Sequence, residues 1–208
     1  MIRNRCFFAI MMAVVAFSWA ISAKAQPPVE QVEVEIETPK GWRTETLKLP
    51  TGFAPDMKWT GFEEVRFAPG MFRPDSESFF SYLFVFCLPN QSPPDSKTMT
   101  TELLKYYRGL AVAVTKGRDV DVKPKSFTLK LTPMKDSKTK LLGVLTWVEP
   151  FATLKSQTLN LEIESVEEDS IKGTLLKVAV SPQPHDVPLW KQMREMLKAA
   201  KVHTSERP

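Results

Sequence analysis

Apolar and polar positions alternate with two different periods along this chain, and the changes of period divide it into elements. Val32, Val34 and Ile36 alternate with Glu33, Glu35 and Glu37, the pattern of a strand with one buried and one acidic face. Pro39-Lys40-Gly41 marks a turn, and Trp42 to Leu49 a second strand. Pro50 to Ser78 breaks the rhythm with four prolines, Gly52, Gly61 and Gly70, and many aromatics; only Gly61 to Phe67 within it reads as a strand. The remainder is expected to be an ordered loop that pins down Phe53, Trp59 and Phe72. Phe79 to Leu88 (FFSYLFVFCL) is apolar at every register, which predicts a central strand buried on both sides.

The period then changes. Met99, Leu103, Tyr106, Leu110 and Val114 recur at spacings of four and three, one apolar stripe of a helix that Asp95 or Ser96 caps and Gly117 ends. Four strands follow, Ser126–Leu131, Lys140–Glu149, Thr158–Ser165 and Thr174–Ser181, joined by short polar links that favour an antiparallel meander. A last helix begins near Asp186, with Pro188 in its first turn and Leu189, Met193, Met196, Leu197 and Ala200 on its core face. The residues from His203 onward read as a polar tail. The order β-β-β-β-α-β-β-β-β-α predicts an α+β fold: a single antiparallel sheet with a middle helix and a C-terminal helix packed on it.

The first 25 residues stand apart. Arg3 and Arg5 precede the uncharged run Phe7 to Ile21, and Ala23 and Ala25 occupy the positions read by a signal peptidase. This is the pattern of a secretory signal peptide cut before Gln26, leaving residues 26–208 as one domain in the periplasm or outside the cell. The apolar run is shorter than the roughly 20 residues a membrane span needs, and no later segment is long enough, so no transmembrane segment is expected in the mature form. The leader also changes the electrostatics. It holds Arg3, Arg5 and Lys24 and no acid, so removing three cations from a formal charge of +4 leaves +1. Lysines and glutamates are interspersed after it, which argues against a nucleic-acid partner. Cys6 leaves with the leader. Cys87 then has no partner for an intramolecular disulfide, and its place in FVFCL predicts a buried, inert thiol.

Candidate chemistry is sparse. His185, His203 and one cysteine do not make a metal-ligand pattern, Asp119 and Asp121 lack the rest of a calcium loop, and no phosphate-binding or dinucleotide glycine motif is present, so no cofactor is expected. Ser181 and His185 are close in sequence but lie in no nucleophile elbow. In an extended Glu63-Glu64-Val65-Arg66, Glu64 and Arg66 share a face, which favours a structural ion pair. The aromatic loop offers the better site: Trp59, Phe67, Met71, Phe72 and Tyr82 as an apolar groove, with Glu64, Arg66 and Arg73 as charged groups at its lip.

The block GFEEVRFAPGMFRPDSESFFSYLFVF (Gly61 to Phe86), with Gly52-Phe53-Ala54-Pro55 before it, resembles an uncharacterised family of secreted bacterial proteins that pairs a "GFEE-RFAPGMF-P" segment with an "SY-FVF" strand. Tyr106-Tyr107, Ser181-Pro182 and Trp190 fit the same family. The resemblance implies export but carries no catalytic or binding residue. The element order is also similar to that of Mog1/PsbP-like domains, a likeness of pattern that implies no activity. Together these features lead to the expectation of a non-enzymatic binding or accessory protein that takes a small molecule, a peptide or an envelope component. The alternatives are a hydrolase using Glu63, Glu64 or Asp75, and an oligomeric structural protein joined through Val32–Glu37.

Overall fold

A computed structural model describes residues 30–206, apart from 119, 121 and 136. The leader and its cleavage site, and the pair Asp119 and Asp121, lie outside the described residues. The strands are β1 (Glu30–Glu35), β2 (Arg43–Leu49), β3 (Gly61–Phe67), β4 (Tyr82–Leu88), β5 (Thr128–Pro133), β6 (Lys140–Val148), β7 (Ser156–Glu168), β8 (Gly173–Ser181) and β9 (Lys201–Glu206). The helices are α1 (Ser96–Thr115), between β4 and β5, and α2 (Pro188–Ala199), between β8 and β9. The fold is α+β and every pairing is antiparallel, but the strands form two sheets rather than one. Seven run in the order β2-β3-β4-β8-β7-β6-β5, and β1 pairs with β9 in a separate sheet.

The second sheet corrects the reading of the C-terminus as a polar tail. Val34 stands opposite Val202, Glu33 opposite His203 and Glu35 opposite Lys201, and His203 Nε2 lies 2.8 Å from Glu35 Oε2. Opposite charges across a strand pair stabilise it, and the two valines continue a buried face. The acidic strand proposed as an oligomer contact therefore has a partner within its own chain.

β4 lies inside the large sheet, between β3 and the middle strand β8, and each of its seven residues is buried. Its alternation divides the interior in two. Tyr82, Phe84 and Phe86 join a core with Met99, Leu103, Tyr106, Tyr107 and Ala111 of α1. Leu83, Val85 and Cys87 join a second core with Trp190, Met193, Met196 and Leu197 of α2 and with Val34 and Ile36. The two helices thus cover opposite faces of the sheet, and the small sheet shares the α2 side. An element buried on both faces needs no polar period, which is why β4 reads as a continuous apolar run.

The helix ends follow local chemistry. Asp95 Oδ1 accepts a hydrogen bond from the Thr98 amide at 2.7 Å at the start of α1, and Gly117, at φ +80°, lies just past its end. β4 begins later than the apolar run suggests. Phe80 takes φ 49°, and its amide donates to Met71 O at 2.8 Å, so Phe79 and Phe80 close the preceding loop instead of extending the ladder. The loop between β2 and β3 packs on α1, at the one place where the helix lacks a side chain. A Cβ on Gly109 would fall on the Phe53 carbonyl oxygen.

Candidate functional site

On the α1 side the β2–β3 and β3–β4 loops do not fill the space they cover. Arg43, Glu45 and Leu47 point to this face from β2, and Val65 and Phe67 from β3; Tyr82 adds from β4, and Tyr106 and Leu110 from α1. Phe53 comes down from the β2–β3 loop and Met71, Phe72 and Phe80 from the β3–β4 loop, and Phe151 enters from the turn after β6. Together they enclose a cavity of about 320 Å³, within the size range of small-ligand sites. The rings brace one another: Phe53 meets Tyr106 edge-on at 5.1 Å, and Phe72 contacts Phe151 at 5.3 Å and Phe67 at 6.2 Å. Phe72 is 39 % exposed and stands at the mouth beside Arg43 and Glu45.

The surroundings hold these rings in place. Successive turns run through Ala68, Met71, Arg73 and Ser76 to Phe79. Glu149, fully buried, accepts from the amides of Phe151, Ala152 and Thr153 at 2.5–3.1 Å, which fixes the turn that delivers Phe151. A buried carboxylate that gathers several amide donors is satisfied without a cation.

Behind the cavity floor lies Glu63, fully buried on the same face of β3 as Val65. Its Oε1 accepts from the Tyr106 hydroxyl at 3.0 Å, and its Oε2 has no hydrogen-bond partner among the described residues. Burial pushes its pKa up to about 8; the Tyr106 bond opposes this, and the charges of Glu45 and Glu64 add to it. Glu63 is therefore a neutral acid at pH 7. Burial likewise holds the phenols of Tyr82, Tyr106 and Tyr107 above their ordinary range, and Tyr82 and Tyr107 share a hydrogen bond of 2.7 Å.

Of the residues singled out in the sequence, Phe67, Met71, Phe72 and Tyr82 line the cavity together. Trp59 does not: it is buried in the core, edge-on to Phe86 at 5.5 Å. Glu64 and Arg66 do share a face and pair at 2.9 Å, but it is the opposite face of β3. There Arg66 Nε donates to Thr38 Oγ1 at 2.8 Å and the Thr46 hydroxyl donates to Glu64 at 2.5 Å, so the pair ties β3 to β2 and to the segment after β1. Arg73 is exposed on the loop, in a shallow depression beside Gly70. The cation at the lip is Arg43, which the sequence does not single out, and neither does it single out Glu45, Leu47 or Phe151, whereas Phe53 belongs to the aromatic loop that it does. The alternation of β2 against β3 signals the first three; nothing local signals Phe151.

The carboxylates named for a hydrolase are not brought together. Glu63 and Glu64 lie on opposite faces of one strand, and Asp75 is exposed on the loop. Ser181 Oγ is buried against Ser81 Oγ at 2.7 Å. His185 Nδ1 instead meets Glu162 at 2.8 Å, a carboxylate that Arg194 also grips with two bonds of 2.6 and 2.8 Å. Cys87 is fully buried, and burial pushes its thiol up to about 12. Among the described residues no group of His, Cys, Asp and Glu is arranged to hold a metal ion, and no helix is long and apolar enough to cross a membrane. Compared with known proteins, the chain matches no family model, no curated protein and no solved structure.

Proposed function

We propose that this chain is an exported, non-enzymatic binding module of the cell envelope, that its domain is Mog1/PsbP-like, and that its site is the aromatic cavity between α1 and the β2–β3 end of the sheet. The leader pattern of residues 1–25 supports export, and the order of strands, middle helix, meander and closing helix supports the domain class. The observation that carries the binding reading is the cavity itself. A cavity of about 320 Å³, open at one side and lined mostly by aromatic and aliphatic side chains, leaves their apolar surfaces without protein contacts, and an apolar group entering it recovers them. Arg43 and Glu45 at the mouth supply polar orientation.

N-phenyl-1-naphthylamine, a neutral aromatic probe whose emission rises in apolar surroundings, tests this reading. The mature protein is expected to bind it saturably. Leu110→Trp, which places an indole in the cavity from α1, is expected to abolish binding while circular dichroism and thermal unfolding show a retained fold. Unchanged binding by that folded variant, or no saturable binding by the wild type, refutes the site. A mature N-terminus other than Gln26, read by mass spectrometry of protein from its host, refutes the proposed processing.

A further inference from the structure

The cavity mouth runs along an open edge of the large sheet. β2 ends the strand order, so among the described residues its ladder is hydrogen-bonded on one side only, to β3. Arg43 to Thr46 are all exposed. The opposite edge differs: β5 ends in Pro133 and packs beneath α1, whereas no proline interrupts Arg43 to Leu49. Sheet edges in soluble proteins are ordinarily blunted or covered, because a row of free N–H and C=O groups recruits another strand.

This edge and the cavity share residues. Arg43, Glu45 and Leu47 of β2 face the cavity, while Thr44, Thr46 and Lys48 face away. A strand added beside β2 would lie about 4.8 Å away with the same alternation, so every second side chain would stand over the cavity. The side chains of Arg43 and Glu45, two residues apart on that side, form no hydrogen bond or ion pair with described neighbours. They present a cation and an anion to whatever lies opposite.

We propose that the occupant is an extended peptide that adds to β2 as an eighth strand. It places one large apolar side chain in the aromatic cavity opposite Leu47; on the same side of the peptide, a basic residue two positions away meets Glu45 and an acidic residue four positions away meets Arg43. Main-chain hydrogen bonds along β2 supply affinity, and the cavity supplies selectivity. The inference rests on the cavity being a binding site and goes beyond it by naming what enters.

A phage-displayed library of random dodecapeptides, selected on the mature protein and counter-selected on Leu110→Trp, tests it. Enriched peptides are expected to carry a large apolar residue with a basic residue two positions away and an acidic residue four positions away in the same direction. A synthetic enriched peptide should displace N-phenyl-1-naphthylamine and slow hydrogen exchange of the β2 amides. Methylating its backbone nitrogens should weaken binding about tenfold or more, the loss of about 1.4 kcal/mol or more. If the naphthylamine binds but no peptide is enriched, or peptides bind without protecting β2, the strand-addition proposal is overturned while the cavity reading stands. If neither probe nor peptide binds, both fall.

Discussion

Replacing Glu63 by glutamine isolates the effect of one buried acid on stability. Glu63 is fully enclosed on the α1 face of β3, with one oxygen bonded to Tyr106 and the other lacking a partner among the described residues. Burial, opposed by the Tyr106 bond, raises its pKa from 4.5 to about 8. The unfolded chain loses this proton near the ordinary value, so between pH 4.5 and 8 the folded protein binds a proton that the unfolded chain does not. The stability Glu63 contributes is full below that ordinary value and is lost as pH rises through 8. At about 1.4 kcal/mol per unit, the loss from pH 5.5 to pH 8 is about 3 kcal/mol, against a total stability of roughly 5–15 kcal/mol for a domain. Glu63→Gln keeps the shape of the protonated acid and an oxygen for Tyr106, but cannot ionise. Urea unfolding of both proteins at the two pH values reads the difference. The variant's advantage should grow by about 3 kcal/mol between the two pH values. Parallel pH profiles for the two proteins would refute the reasoning.

Two further outcomes follow from the second core. Ending the chain after Ala200 removes β9 and uncovers Val34 and Ile36, which are buried beside α2. A loss of about 3 kcal/mol is expected from the exposed aliphatic surface, and an unchanged urea midpoint would show that the small sheet adds nothing. Cys87 should stay unlabelled by a thiol reagent in the native protein and react at once in denaturant, since it is fully buried and its thiol is held near 12; rapid native labelling would mean that β4 opens.

Elements whose signals are local were legible in the chain itself. The strand β3 falls on Gly61–Phe67 as its alternation indicates, and α1 runs from its Asp95 cap towards Gly117. Even the Glu64–Arg66 pair follows from strand parity. Parity could not say which face of β3 looks at α1, because the neighbouring β4 is buried on both sides and apolar residues occupy both registers. Arg66 falls on the face away from the cavity rather than at its lip. The same ambiguity hid Arg43, whose register against Phe67 sets it at the mouth.

What the sequence determined by itself was the secondary elements other than β9, the α+β class, the double burial of β4 and the richness of one segment in aromatic side chains. Each depends on residues within a few positions of one another, where period, capping and turn chemistry act. Only the tertiary structure decided that β9 closes on β1 across 168 residues between Glu35 and His203, that the helices take opposite faces, and that Trp59 fills the core while Phe72 leaves a mouth open. Those outcomes depend on how distant segments share one volume. A ring closes a core or lines a void according to which other rings arrive there, and Phe151, held by Glu149, arrives from the far side of the chain.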